Sequence, residues 1–214
     1  DLEDPRHPIS YERLQSYANQ FIAHWRELSQ QIGPEMADIL ATASDEQIAE
    51  LVQNIDKRNK KFKTNYVDIP LESLAEKRKE RLTKDIKQWI SRLTAEQKQA
   101  VSDWSDQIVP LAADGLRYRK RVLTEFQNLL TKQRQAPDFK EAFVALLVNF
   151  DQMRTREYQQ KIDINTDLTL KLLIKIDRSL NATQRTYLLK RIGSMASDFD
   201  KLSCDPVQIS PSVE

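Results

Sequence analysis

Hydrophobic residues recur along this chain at intervals of three and four, the spacing that lines one face of an α-helix. After Pro8 and Ser10, the residues Tyr11, Leu14, Tyr17, Ala18, Phe21, Ile22, Trp25 and Leu28 mark a first helix. Gly33-Pro34 is expected to break or kink it, leaving Met36, Ala37, Ile39 and Leu40 as a short apolar segment beyond. Ile48, Leu51, Val52, Ile55, Phe62 and Tyr66 predict a second helix, ended by Asp68-Ile69-Pro70. Pro70 can open the third, which runs through Leu71, Leu74, Ala75, Leu82, Ile86, Trp89 and Ile90 to Leu93. Val101, Trp104 and Ile108 define a fourth, which Pro110 kinks or divides in two. Leu116, Val122, Leu123, Phe126 and Leu130 follow; then comes a break at Ala136-Pro137-Asp138 and a compact helix of Phe139, Phe143, Leu146, Leu147 and Phe150. A long helix is predicted over Arg156 to Ser179, and a last one through Leu188, Leu189, Ile192, Met195, Ala196 and Phe199. From Ser203 the periodicity is lost, so 203–214 reads as a flexible tail that contains Cys204. Residues 1–202 read as one all-helical domain, with a sub-division near 110–137 left open.

Three of these helices start alike. Ser44 to Gln47, Thr94 to Gln97 and Asn181 to Gln184 each place a capping side chain three residues before a glutamine. The first can accept from the glutamine's amide while the glutamine reaches back, the reciprocal pattern of a capping box. The intervals between the three starts are unequal, which excludes a regular solenoid.

Composition agrees with helix. Only 3 glycines occur, too few for sheets joined by tight turns. The fold class is therefore all-α: a multi-helix, elongated bundle with capped helices. No apolar run approaches the roughly 20 residues that span a bilayer. A net charge of +1 gives no global pull towards nucleic acid or anionic lipid. The chain opens Asp1-Leu2-Glu3-Asp4-Pro5 without a methionine, as expected of a processed or trimmed chain.

Charges fall where the apolar stripes predict burial. Arg58 and Asn59 follow Ile55 by three and four residues, and Arg78 sits between Ala75 and Leu82. Asp85 follows Leu82 by three, and Arg119 sits between Leu116 and Leu123. An isolated buried arginine is costly. These residues therefore form an internal network, or line a cleft whose arginines hold an anion or a partner's carboxylate, or lay aliphatic stems on apolar surface with their heads in water. The basic run Lys57 to Lys63, with Lys77-Arg78-Lys79 and Arg117 to Arg121, reads as solvated helix surface; no nucleic-acid partner is expected.

Catalytic and cofactor chemistry is not visible. His7 and His24 lack companions at metal-ligand spacing, and no His-Glu-x-x-His, Gly-x-Ser-x-Gly or glycine-rich phosphate loop occurs. Cys204 has no basic neighbour to activate it. Trp25, Trp89 and Trp104 lie on helical stripes, where core packing is expected. No metal, cofactor or catalytic residue is assigned.

Leu93-Thr94-Ala95-Glu96-Gln97 fits the Leu-Thr-x-x-Gln motif and is similar to the Spy and CpxP type of periplasmic helical chaperone, while Leu180 to Gln184 departs from the motif at Asn181. A longer series also carries a likeness: Asp45-Glu46-Gln47-Ile48, Arg58-Asn59-x-x-Phe62-x-x-x-Tyr66, Lys77-Arg78-x-x-Arg81-Leu82 and Trp89-Ile90-x-x-Leu93-Thr94-x-x-Gln97. It continues through Pro110-Leu111-Ala112, Tyr118-Arg119 and the late Leu180 to Gln184. In that order, from Tyr17 to Leu202, the chain resembles an uncharacterised family of Gram-negative bacterial lipoproteins. The resemblance implies a periplasmic helical domain held at the outer membrane by a lipidated N-terminal cysteine, which this sequence lacks, and it implies no reaction. The expected function is a non-enzymatic scaffold or interaction module whose partner is another envelope protein. A Spy-like holdase for unfolded clients is the alternative, and an anion or lipid binder using Arg58, Arg78 and Arg119 a second one. The membrane is met only through the lipid anchor.

Overall fold

The computed structural model describes residues 9–204, with side chains placed through Lys201. Among them are eight α-helices and one 3₁₀ turn: α1 (Tyr11–Thr42), α2 (Asp45–Tyr66), α3 (Leu71–Ile90), α4 (Ala95–Gln107), α5 (Ala112–Lys132), α6 (Phe139–Val148), the 3₁₀ turn Phe150–Met153, α7 (Arg156–Arg178) and α8 (Ala182–Cys204). The predicted stops at Asp68–Pro70, Pro110 and Pro137 fall between helices. Two boundaries differ from the sequence pattern. Gly33-Pro34 does not break α1, which runs on to Thr42 with Pro34 inside it. Ser203 and Cys204 belong to α8 rather than to a tail, and the rest of the expected tail lies outside the described residues.

Side chains divide into two cores. Ile86, Ile90, Leu93, Ala100, Val101, Leu172 and Ile176 make one, from α3, α4 and α7, with Leu188 of α8 packed against it. Ala37, Ile48, Leu129, Leu130, Phe139 and Phe143 make the other, from α1, α2, α5 and α6. Each core draws helices from both sides of the 110–137 region. The described helices form a bundle around these two cores.

Helix α1 ties the two cores together. At its start the Ile9 amide donates to Asp177 Oδ2 of α7 at 3.1 Å. Its second half lies on α6, where Ser29, Gly33 and Ala37 give it a flat buried face. A Cβ at Gly33 would stand 2.9 Å from Val144 Cγ2, so glycine sets how closely the two helices approach. Arg26 to Asp151 at 2.8 Å and Lys140 to Asp38 at 2.7 Å hold the flanks. This packing along both sides of Pro34 offsets the backbone hydrogen bond that proline cannot make.

The α4–α5 connection is fixed from α7. Asn165 accepts from the Val109 amide at 2.9 Å and donates to the Val109 carbonyl at 2.8 Å, standing in for a backbone partner. Nothing in the sequence pattern marks Asn165 for that task.

Candidate functional site

The stripe on α1 that predicts burial is mostly open. Tyr17, Phe21, Trp25, Leu28, Ile32, Met36 and Ile39 are all exposed, Phe21 and Ile39 by 69%. At 100° per residue these positions lie roughly 100° round the helix from Ser29, Gly33 and Ala37. Helix α6 covers the small-residue face and leaves the large-residue face bare. From Tyr17 to Ile39 the open face runs about 33 Å. Aromatic residues and methionine mixed with aliphatics, and few charges, make a composition typical of interface centres. Single exposed apolar residues are ordinary, whereas a continuous row marks an interaction site. Trp25 (46% exposed) and Trp89 are therefore not core residues. Trp104 is half-buried against the α3/α4/α7 core and donates through Nε1 to Thr169 Oγ1 at 3.2 Å.

The residues expected to form one charged network are dispersed. Arg58 is exposed, and its neighbour Asn59 is the one that turns inward, at 3% exposure. Asp85 is also on the outside, 3.9 Å from Arg81, and the core position is Ile86. A single residue step turns a helix by about 100°, which separates both pairs. Arg78 is half-buried and donates through Nε to Ser105 Oγ at 3.3 Å; burial lowers its pKa, opposed by the charge of Asp106. Arg119 lies elsewhere, its guanidinium 4.6 Å from the Phe62 ring centre. The arginines thus share neither a network nor a cleft. In the basic run, Lys60 pairs with Asp56 and Lys63 with Asp68, each locally neutralised.

Asn59 and Arg119 do meet a common cavity. It holds about 480 Å³ between α2, α5 and α7, and is lined also by Ile55, Tyr118, Val122, Leu123, Phe126 and Tyr158. The two tyrosine rings stand 5.8 Å apart. Burial raises the Tyr118 phenol, whose O–H donates to the Phe150 carbonyl at 2.6 Å. Gly115 lets α5 seat here, since a Cβ would come within 3.3 Å of the Tyr158 hydroxyl. Beside it, buried Asp114 accepts from Lys161 at 2.9 Å and from Arg117, and the Lys161 hydrogen bond holds its carboxyl below the usual range.

The expected caps are present. Ser44 and Gln47 exchange bonds on the surface, at 3.3 Å and 2.8 Å. Thr94 with Gln97 and Asn181 with Gln184 do the same, but both glutamines are buried and bond to each other. Gln97 Nε2 donates to Gln184 Oε1 at 3.1 Å, and Gln184 Nε2 donates to Gln97 Oε1 at 2.9 Å. Gln97 also donates to the Ser179 carbonyl and Gln184 to the Arg92 carbonyl, each two residues before the other's cap. These side chains join α4 to α8; no ligand role is needed to explain them.

Among the described residues no group of histidine, cysteine or acidic side chains could hold a metal, and no helix is long and apolar enough to cross a membrane. His24 meets Glu27 at 3.2 Å on the surface, and His7 lies outside the described residues. The model of a family described as a family of unknown function (DUF6279) matches residues 4–159. That match begins before Tyr17 and stops inside α7, so the Leu180 to Gln184 segment lies beyond it. No curated protein and no solved structure matches the chain.

Proposed function

The chain belongs to this family of unknown function, and on that premise we propose that it is a non-enzymatic interaction module of the cell envelope that takes a helix of another protein along α1. The open row from Tyr17 to Ile39 carries the reading. Its three- and four-residue spacing from Trp25 through Leu28, Ile32 and Met36 to Ile39 suits a helix laid alongside, as in helix-in-groove recognition. Trp25, Phe21 and Tyr17 supply the large aromatic anchors that dominate such contacts. The likeness to bacterial lipoproteins, through residues such as Arg58-Asn59-x-x-Phe62-x-x-x-Tyr66, supports a periplasmic address with a lipid anchor at the outer membrane.

A photo-crosslinking side chain at Phe21, compared with one at exposed Lys120 on α5 in the native host, tests this directly. One discrete adduct from position 21 and none from 120 is the expected result. Identical adducts from both, or none from position 21, would overturn it. An adduct of twice the chain's mass would replace the partner with a second copy. A holdase reading rests on the same exposed row, since methionine and aromatics also suit unfolded clients. It requires a ladder of adducts, together with suppressed light scattering when a denatured client is diluted into equimolar protein.

A further inference from the structure

The cavity between α2, α5 and α7 lies away from this face, for no α1 residue lines it. Its volume of about 480 Å³ falls within the roughly 300–1,000 Å³ of small-molecule sites. Ile55, Val122, Leu123 and Phe126 make its apolar wall. Two polar groups break that wall. Asn59 is 3% exposed, yet its Nδ2 has no acceptor. Buried donors are almost always met, so an unmet one in a cavity wall points to an acceptor supplied from outside the chain. Arg119 brings a positive charge, and its guanidinium stacks on Phe62 rather than on a carboxylate of a described residue. The Tyr118 hydroxyl is committed to the Phe150 carbonyl, leaving its ring surface to the cavity.

We propose that this cavity binds a small carboxylate-bearing amphiphile. The apolar body lies against Ile55, Val122, Leu123 and Phe126, a carboxylate oxygen accepts from Asn59 Nδ2, and the charge faces Arg119. One amide donor and the forked guanidinium of Arg119 can meet both oxygens of a carboxylate.

Calorimetric titration of the whole chain with decanoate, below its micellar concentration, tests the site, with decanol as the uncharged control. One saturable site is expected, with decanol at least tenfold weaker. Asn59→Leu should weaken decanoate at least tenfold while raising the Tm of the ligand-free protein, because an unmet donor is removed. Arg119→Gln, at an exposed position, should weaken decanoate and leave decanol unchanged. Phe21→Ser on α1 should alter neither, which separates this cavity from the open helix face. Absence of saturable binding, equal affinity for decanol, or full decanoate affinity in either cavity variant would overturn the proposal. So would a lowered Tm in Asn59→Leu, which would mean the amide is met within the fold, or a loss of decanoate binding in Phe21→Ser.

Discussion

The cap at Ser44–Gln47 and the caps at Thr94–Gln97 and Asn181–Gln184 use one local chemistry in opposite surroundings. The first stands in water at the start of α2, and its side chains serve only their own helix. The other two stand back to back in the interior, where each glutamine caps its own helix and bonds the partner's cap region. In water a lost cap bond is replaced by solvent. In the interior, removing one amide strands the other, and the desolvation penalty falls due in full. The same short motif is therefore helix punctuation at one site and a tertiary fastener at the other two.

That contrast can be broken by substitution. Gln97→Ala removes a cap and leaves part of the Gln184 amide unmet, so it should cost about 3 kcal/mol in chemical denaturation; a loss no larger than at the surface cap would sink the distinction. Gln184→Ala should behave alike, and the double variant should lose less than the sum by about 1–2 kcal/mol, the coupling expected of residues in direct contact. Additive losses would mean that the amide pair contributes nothing beyond its two caps. Gln47→Ala should cost only about 0.5–1 kcal/mol, with no coupling to either buried glutamine. The one expected gain is at Ser91, the α3 C-cap, which adopts φ 71° just before the buried junction. Ser91→Gly should gain about 1 kcal/mol by relieving a left-handed conformation that disfavours a side chain; a loss would show that the serine side chain contributes more than its backbone strain costs.

The helix starts were legible because capping is chemistry among neighbours in sequence, and the stops at Pro110 and Pro137 for the same reason. The joining of Gln97 to Gln184 was not, because they are 87 residues apart. Periodicity also says which residues share a face without saying whether anything covers it. On α3 and α4 the apolar stripe found α7; on α1 it found α6 only along Ser29, Gly33 and Ala37, and the larger residues stayed outside. The site residues show the finer limit. Asn59 and Arg119 do line one cavity, whereas Arg58 and Asp85 point outward because the core takes Asn59 and Ile86 instead. A stripe assigned from sequence is uncertain by about one residue, and one residue separates inside from outside.

The order in which helices enter the two cores has a consequence for synthesis. As the chain emerges, α3 and α4 appear early, yet Leu172 and Ile176, which complete their core, come only with α7. Until then Ile86, Ile90 and Val101 have no lid, and Ala37 and Ile48 likewise wait for Leu129, Leu130 and Phe143. A nascent chain stopped after α4 would hold two half-built interiors at once. Folding of either is deferred until distant segments arrive, a delay that lengthens exposure to aggregation.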